Sequence, residues 1–173
     1  MISREEALQP IKNTSKYAHA IIVSRMMGEL ARYLGKDERE WELVGLLHDL
    51  DYDDVRDNME QHGIVSSERL KSKLPENCLY AIKAHDYRTG FISHSQLDKA
   101  LLATDSLVVL IERSGIPPAE VGVAIIRAEL EKTSTRQPWH ITNLLKCKEI
   151  GLNLNKFLQL CLNSLRKRKN DLP

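Results

Sequence analysis

Six histidine and aspartate residues in this sequence have the types and spacing expected of a metal site. A His-Asp pair alone is a weak motif, because such pairs also arise by chance. Here the pair stands at the end of an apolar helical segment, and the other donors fall at helical positions that can point inward. The set is His19, His48, Asp49, His62, His85 and Asp105. Burying such a cluster is unfavourable, and a divalent cation is the simplest group that neutralises it.

The kind of metal site follows from the donors that are present and from those that are not. The three cysteines are far apart and form no CxxC pair, so a structural zinc site with thiolate ligands is not expected. Imidazole and carboxylate ligands suit zinc, iron and manganese alike. A catalytic ion lowers the pKa of its bound water to roughly 7. The donor set therefore favours a catalytic ion that activates water.

The elements that must position these donors are predicted to be helices. No segment alternates apolar and polar residues as a strand does, and the dominant period is helical. Predicted helices span residues 4–12, 15–34, 38–50, 62–73, 76–86 and 95–112, and others start at Pro117-Pro118, Pro138 and Asn153. The expected fold class is all-α, a helical bundle with the metal site in its core.

The helical period carries the donors to apolar faces. His48 follows Val44 by one turn on the buried stripe of the third helix, and Asp49 is the next residue round. Asp105 interrupts an otherwise apolar face of the sixth helix. The Asp-rich residues 51–59 are predicted to form a loop over the site.

The order of these residues resembles the H…HD…D signature of the HD-domain superfamily of metal-dependent phosphohydrolases. The segments that carry the resemblance are LLHDLDYD at 46–53, HG at 62–63, AIKAH at 81–85 and LDKALLATD at 97–105. They look like the small stand-alone HDIG-type members. The resemblance covers residues 14–112, whereas residues 113–173 match only loosely. We therefore expect one domain over residues 1–173, with an HD core and a C-terminal helical extension.

The resemblance implies a role for each donor. The expected set of metal ligands is His19, His48, Asp49 and Asp105, which leaves positions open for water and substrate. Members with two further histidines hold two ions, and His62 and His85 stand in the expected order. Asp49 would then bridge the ions, and Asp49, His62 and His85 are the predicted catalytic residues. The alternatives are that His62 is exposed at a helix N-terminus and that His85 contacts phosphate.

The implied reaction is hydrolysis of a small phosphorylated metabolite, preferably a nucleotide, by metal-activated water. One or two divalent ions are expected, and Fe, Mn, Mg, Zn, Co and Ni are not distinguished. The predicted substrate contacts are Tyr52, Lys83 and Arg88, with Arg25 a weaker candidate. Tyr52 stands where relatives that act on cyclic dinucleotides, and the inositol oxygenases, often carry a lysine. Because tyrosine brings no positive charge, neither of those two activities is favoured.

Two other functions fit the same donors. One is a diiron oxygenase on the same scaffold that cleaves a C–C or C–P bond, and the other is a catalytically silent sensor that binds metal and nucleotide. His94 and His140 are predicted to be surface residues. The second pair, His85-Asp86, is interpreted as coincidental, with Asp86 pointing away from the site.

The composition favours a cytoplasmic protein with a small-molecule partner. A net charge of +1 over 173 residues gives no reason to expect a nucleic-acid or membrane surface. The basic run at residues 166–169 is interpreted as a solvated helix end. The N-terminus is too polar for a signal peptide, and no apolar run approaches the length of a membrane span. The sequence leaves an oligomer open.

Overall fold

The computed structural model describes residues 1–133 and 138–167, and all regular structure in these ranges is helical. The α-helices are α1 (Arg4–Ile11), α2 (Tyr17–Leu34), α3 (Glu38–Leu47), α4 (Ile64–Leu70), α5 (Glu76–Ala84), α6 (Gln96–Ser114), α7 (Val123–Thr133), α8 (Pro138–Leu144) and α9 (Leu154–Lys167). Short 3₁₀ helices cover Met59–Gln61, Tyr87–Thr89, Pro118–Glu120 and Leu145–Ile150. The prediction of an all-α fold is confirmed.

Several helices begin and end where local signals in the sequence predicted. Ser3 forms a capping box with Glu6 at the start of α1. The carboxylate of Asp37 accepts a hydrogen bond from the backbone N–H of Glu40 and caps α3. Gly35 ends α2 with φ of 65°, a left-handed conformation that glycine adopts readily.

Two helices end earlier than predicted, immediately before a histidine. The last residue of α3 is Leu47 rather than residue 50, and that of α5 is Ala84 rather than residue 86. In both cases the histidine ring that follows donates a hydrogen bond to the carbonyl three residues back. The ring thereby satisfies one of the carbonyl groups that lack a helical partner at the C-terminal end of each helix.

The core is built around α2, which packs against α3, α6 and α9. Met26, Leu46, Leu101 and Phe157 are among the fully buried side chains. Gly45 allows α2 and α3 to approach closely, because a Cβ atom at this position would lie 2.9 Å from the Cα atom of Ser24. This close packing brings the end of α3 next to the first turn of α2.

Two expectations from the sequence concern a membrane span and the basic run at residues 166–169. Among the helices of the described residues, none combines the length and apolar character needed to cross a membrane. Arg166 is exposed near the end of α9, and its guanidinium donates to the carbonyl of Val121. Residues 168 and 169 of the predicted basic run lie outside the described residues.

Candidate metal centre

Six histidine and aspartate side chains converge inside the bundle, and they come from five places along the chain, each in a helix or near a helix end. His19 lies in the first turn of α2, and His48 and Asp49 directly follow α3. His62 precedes α4, His85 follows α5, and Asp105 lies midway along α6. All four histidines and Asp49 are at most 5% exposed. The structure thus brings together all six residues that the sequence singled out as donors.

The carboxylate of Asp49 lies at the centre of this cluster. Its Oδ1 atom is 3.0 Å from Nε2 of His62, 3.3 Å from Nε2 of His48 and 3.4 Å from Nε2 of His85. Its Oδ2 atom is 3.8 Å from Nε2 of His19. One carboxylate therefore faces imidazole nitrogens on both of its oxygens.

The donors divide into two overlapping groups that each have the size of a single-ion site. In the first, the potential ligand atoms of His19, His48 and Asp105 lie within 4.8 Å of one another. In the second, the same holds for His48, Asp49 and His85. His62 joins the second group, because its Nε2 atom is 3.1 Å from Nε2 of His85.

The rings of His48 and His85 are held by hydrogen bonds on the ring edge that faces away from the cluster. Nδ1 of His48 donates to the carbonyl of Gly45 at 2.9 Å, and Nδ1 of His85 donates to the carbonyl of Ile82 at 2.6 Å. A carbonyl can only accept, so Nδ1 must carry the proton in both rings. In the neutral rings Nε2 is then an unprotonated lone-pair donor that faces the cluster, as metal ligation requires.

The two other histidines are oriented by carboxylates that the sequence reasoning missed. Nδ1 of His19 is 3.0 Å from Oε1 of Glu112, and Nδ1 of His62 is 2.8 Å from Oδ1 of Asp51. Asp51 stands two residues after Asp49, and Glu112 stands two turns after Asp105 on α6. Such carboxylate–histidine contacts hold metal ligands in place and increase their basicity.

The cluster without a metal is held by imidazolium–carboxylate pairs. Burial lowers the pKa of His19, but hydrogen bonds to Asp105 and Glu112 outweigh burial and raise this pKa to about 10. Burial likewise opposes the charge of His62, and hydrogen bonds to Asp49 and Asp51 raise its pKa to about 9. In the case of His48, burial dominates and lowers the pKa.

A divalent ion fits this set of donors. The Nε2 atom of His48 is buried and has no hydrogen-bond partner among the described residues. A buried polar atom without a partner is unusual and calls for an explanation, of which a missing ion is one. The orphaned atom faces Asp49 and Asp105, so an ion between these groups would satisfy it. Nitrogen and oxygen donors without sulfur suit a catalytic ion rather than a structural zinc.

Asp49, His62, His85 and Asp105 form the floor of a pocket that is partly open to solvent and has a cavity volume of about 130 Å³. Tyr52 and Arg88 line this pocket, as predicted for substrate contacts. Lys83 is not among the lining residues. Its ammonium lies 3.7 Å from Oε1 of Glu76 and 5.2 Å from the ring centroid of Phe91, because α5 directs it elsewhere. Arg25 is buried in α2 and does not line the pocket either.

The predicted positions of Asp86 and His140 are wrong, because both residues line the wall of the pocket. Asp86 does not point away, since it lines the pocket and its carboxylate accepts hydrogen bonds from the backbone and guanidinium N–H groups of Arg88. His140 is a partly buried pocket residue, with Nδ1 at 3.5 Å from Oγ of Ser106. Asp86 caps the 3₁₀ helix that follows α5, and α8 packs on α6. His94, by contrast, is exposed, as predicted.

Other lining residues were not found by sequence reasoning. They are Lys16, Tyr87, Ser106, Val109, Trp139 and Asn143. Lys16 had a usable signal, because it stands three residues before His19 and so near the same helix face. Its ammonium lies 3.2 Å from Oδ2 of Asp49, and attraction by the carboxylates of Asp49 and Asp105 outweighs burial and raises its pKa. The residues of α8 had no local signal, since they reach the pocket only through the tertiary fold.

Comparison with known proteins gives one match. Residues 17–101 match the family model described as HD domain. The matched stretch contains five of the six donors and ends shortly before Asp105. No curated protein and no solved structure matches the chain. The match and the helical fold agree with the superfamily that the motif resembled, whereas the HDIG subtype and the domain limits stay predictions.

Proposed function

Taking the chain as a member of the HD-domain superfamily, which the match of residues 17–101 supports, we propose that it is a metal-dependent phosphohydrolase. The observation that carries the proposal is the position of Asp49. Its carboxylate lies between two groups of ligand atoms at the floor of an open pocket. A carboxylate in this position can hold one ion or bridge two.

The residues that would hold the metal are those of the cluster. His19, His48, Asp49 and Asp105 would bind the first ion, and Asp49, His62 and His85 would bind a second. When bound, such ions supply an activated water and polarise a phosphoryl group. The protein contributes ligand orientation, because Gly45, Ile82, Asp51 and Glu112 fix the ligand rings from behind.

Arg88 is suited to bind a phosphoryl oxygen at the rim of the pocket. Its guanidinium forms several hydrogen bonds with the carboxylate of Asp86, which limits the positions that the side chain can adopt. A guanidinium matches the geometry of phosphate oxygens better than other cations do. Because Arg88 is already paired, its contribution is orientation of the substrate more than addition of net charge.

A nucleotide is the substrate class that the aromatic residues of the pocket favour. The rings of Tyr87 and Trp139 lie with their centroids 6.4 Å apart, and both side chains are exposed at the pocket mouth. A planar base can stack on such exposed aromatic faces while its phosphate reaches the floor. Because the cavity of about 130 Å³ is open to solvent, only the phosphate has to fit inside it while the base stacks at the mouth.

Metal-reconstituted protein tests the proposal. Protein stripped of metal should release inorganic phosphate from nucleoside monophosphates or simpler esters only after Mn²⁺, Fe²⁺, Zn²⁺ or a similar ion is restored. Asp105→Ala should abolish metal binding and phosphate release. His94→Ala is the matched control, because His94 is exposed and its ring contacts Tyr80 rather than the cluster.

The rival functions give different results in the same preparation. Oxygen consumption by iron-loaded protein without phosphate release would favour the diiron oxygenase. Binding of metal and nucleotide without turnover of a broad phosphate panel would favour the silent sensor. Either result would contradict the hydrolase proposal.

A further inference from the structure

Lys16 brings a positive charge to the cluster from a part of the chain that the motif does not include. It precedes α2, and its Nζ atom lies 3.2 Å from Oδ2 of Asp49. The same atom lies 4.1 Å from the ring centroid of Tyr52, a distance typical of a cation–π contact. Lys16 and Tyr52 both line the pocket. The side chain of Lys16 is 21% exposed, so the ammonium faces both the cluster and the open space.

This arrangement changes the interpretation of position 52. Tyr52 carries no charge, and the sequence alone suggested that the pocket lacks the cation found there in other proteins. The ring of Tyr52 instead contacts an ammonium from Lys16, the residue immediately before α2. The pocket therefore does contain a cation beside the motif aspartate, although the residue that supplies it lies 36 positions earlier in the chain.

Once metal ions are bound, pairing with Asp49 no longer accounts for the position of Lys16. Bound metal ions would neutralise the carboxylate of Asp49. The ammonium of Lys16 would then lie beside other cations. An anion between the ions and Lys16 removes this repulsion, and the open side of the pocket gives it access. Charge-assisted hydrogen bonds in a partly buried site are among the stronger polar contacts in proteins.

We propose that Lys16 binds a non-bridging phosphoryl oxygen of the substrate and makes the pocket selective for phosphate monoester dianions over diesters. Tyr52 acts as a positioning residue that holds the ammonium toward the pocket. The inference rests on the proposed function, because it assigns the substrate class of the same site. A dianion offers one more negative charge than a diester, and Coulomb attraction to a partly buried cation favours the greater charge.

Binding of inorganic phosphate to metal-loaded protein tests Lys16 without any turnover. Lys16→Met should bind the same amount of metal as wild type but bind phosphate about 10- to 100-fold more weakly, as expected for loss of a charged hydrogen-bond partner. Lys12→Met is the control, since Lys12 is exposed outside the pocket. Lys16→Arg should keep part of the affinity. Equal phosphate affinities in Lys16→Met and Lys12→Met would overturn the inference.

Two variants of Tyr52 test the positioning role. Tyr52→Phe keeps the aromatic face and should bind phosphate as wild type does. Tyr52→Leu removes the cation–π contact and should weaken phosphate binding while metal content stays unchanged. If Tyr52→Leu binds phosphate as well as Tyr52→Phe, the positioning role is wrong.

The specificity part is measured with a monoester and a diester that share one leaving group, p-nitrophenyl phosphate and bis(p-nitrophenyl) phosphate. Lys16→Met should lower kcat/KM for the monoester at least about tenfold more than for the diester. An equal loss for both esters, or a loss of metal in the variant, would show a structural role and overturn the specificity. If loaded wild type hydrolyses neither ester nor any nucleotide, the proposed function fails, while the phosphate titration still decides whether Lys16 binds the anion.

Discussion

Asp51 and His62 form a buried pair that joins the metal cluster to the start of a helix. Oδ1 of Asp51 lies 2.8 Å from Nδ1 of His62, and Oδ2 accepts hydrogen bonds from the backbone N–H groups of Gly63 and Ser66, both at 2.8 Å. Asp51 is fully buried. A single carboxylate thus orients a predicted metal ligand and satisfies buried N–H groups at the beginning of α4 that have no helical partner.

Asp51→Asn should therefore weaken metal binding and destabilise the fold together. The amide keeps the size of the side chain but has one acceptor oxygen fewer, so a buried N–H group or the His62 ring loses its partner. We expect a loss of about 1–3 kcal/mol in the free energy of unfolding. Loss of an outer partner of a ligating histidine should also weaken metal affinity about 10- to 100-fold. Urea unfolding of metal-free protein and a metal titration measure the two effects.

Asp54→Asn is the control for this substitution. Asp54 is an exposed residue of the same loop, and its carboxylate pairs with Arg69. Its replacement should leave both quantities near the wild-type values, because exposed ion pairs contribute little. If Asp51→Asn behaves like this control, the orienting role of Asp51 is refuted.

The number of ions depends on His62 and His85. If Asp49 bridges two ions, wild-type protein should bind about two per chain. His62→Ala and His85→Ala should each reduce the content toward one, because both remove a ligand from the second group only. Elemental analysis of protein saturated with Mn²⁺ or Fe²⁺ gives the stoichiometry, with His94→Ala as the variant outside the cluster. A wild-type value that never exceeds one ion would reassign His62 and His85 to substrate binding.

Metal binding should release protons, because two of the ligands hold them in the metal-free protein. The pKa of His19 is raised to about 10 and that of His62 to about 9, so both rings are protonated at pH 7.5. An ion can bind only the deprotonated nitrogen, and apparent metal affinity should therefore rise with pH up to about pH 10.

Calorimetric titrations in two buffers with different ionisation enthalpies count the released protons. The wild type should release about two protons per fully loaded chain, one for each raised imidazole. His62→Ala should release about one fewer. Binding heats that do not depend on the buffer would contradict the protonated state of the two rings.

The sequence predicted that the donors converge because several of them continue or interrupt a helical pattern of apolar residues. His48 follows the apolar stripe of α3 by one turn and Asp105 interrupts that of α6, and these local patterns are visible without a fold. Asp51 escaped notice because the Asp-rich segment was interpreted as one loop, although this residue alone in that segment is wholly buried. Its role depends on the backbone of α4, which no spacing rule links to position 51.

Most of the wall of the pocket, apart from Tyr52 and Arg88, was not predicted from the sequence. Lys16 approaches Asp49 across a gap of 33 residues, and Trp139 reaches the pocket through the packing of α8 on α6. These contacts join elements that are distant in the chain, so neither composition nor periodicity contains them. The sequence therefore predicted the floor of the pocket together with Tyr52 and Arg88, while Lys16, Tyr87 and Trp139 were recognised only in the tertiary structure.

Trp139 should contribute to the binding of a nucleotide but not to the binding of phosphate. The chain has two tryptophans, and Trp41 is buried in the core whereas Trp139 is 40% exposed at the pocket mouth. Stacking of a base on an aromatic side chain contributes about 1–3 kcal/mol. Trp139→Ala should therefore weaken the affinity for a nucleoside monophosphate by this amount and leave inorganic phosphate affinity unchanged.

The fluorescence of Trp139 provides the measurement in the unaltered protein. A nucleoside monophosphate added to metal-loaded protein should change this fluorescence, while ribose 5-phosphate, which has no base, should have little effect. Trp139→Phe retains an aromatic face and should recover most of the affinity, as measured by calorimetry. Equal affinities of the wild type for the nucleotide and the sugar phosphate would show that the pocket does not bind the base. The substrate would then be a phosphate ester without an aromatic group, bound through its phosphate at the floor of the pocket.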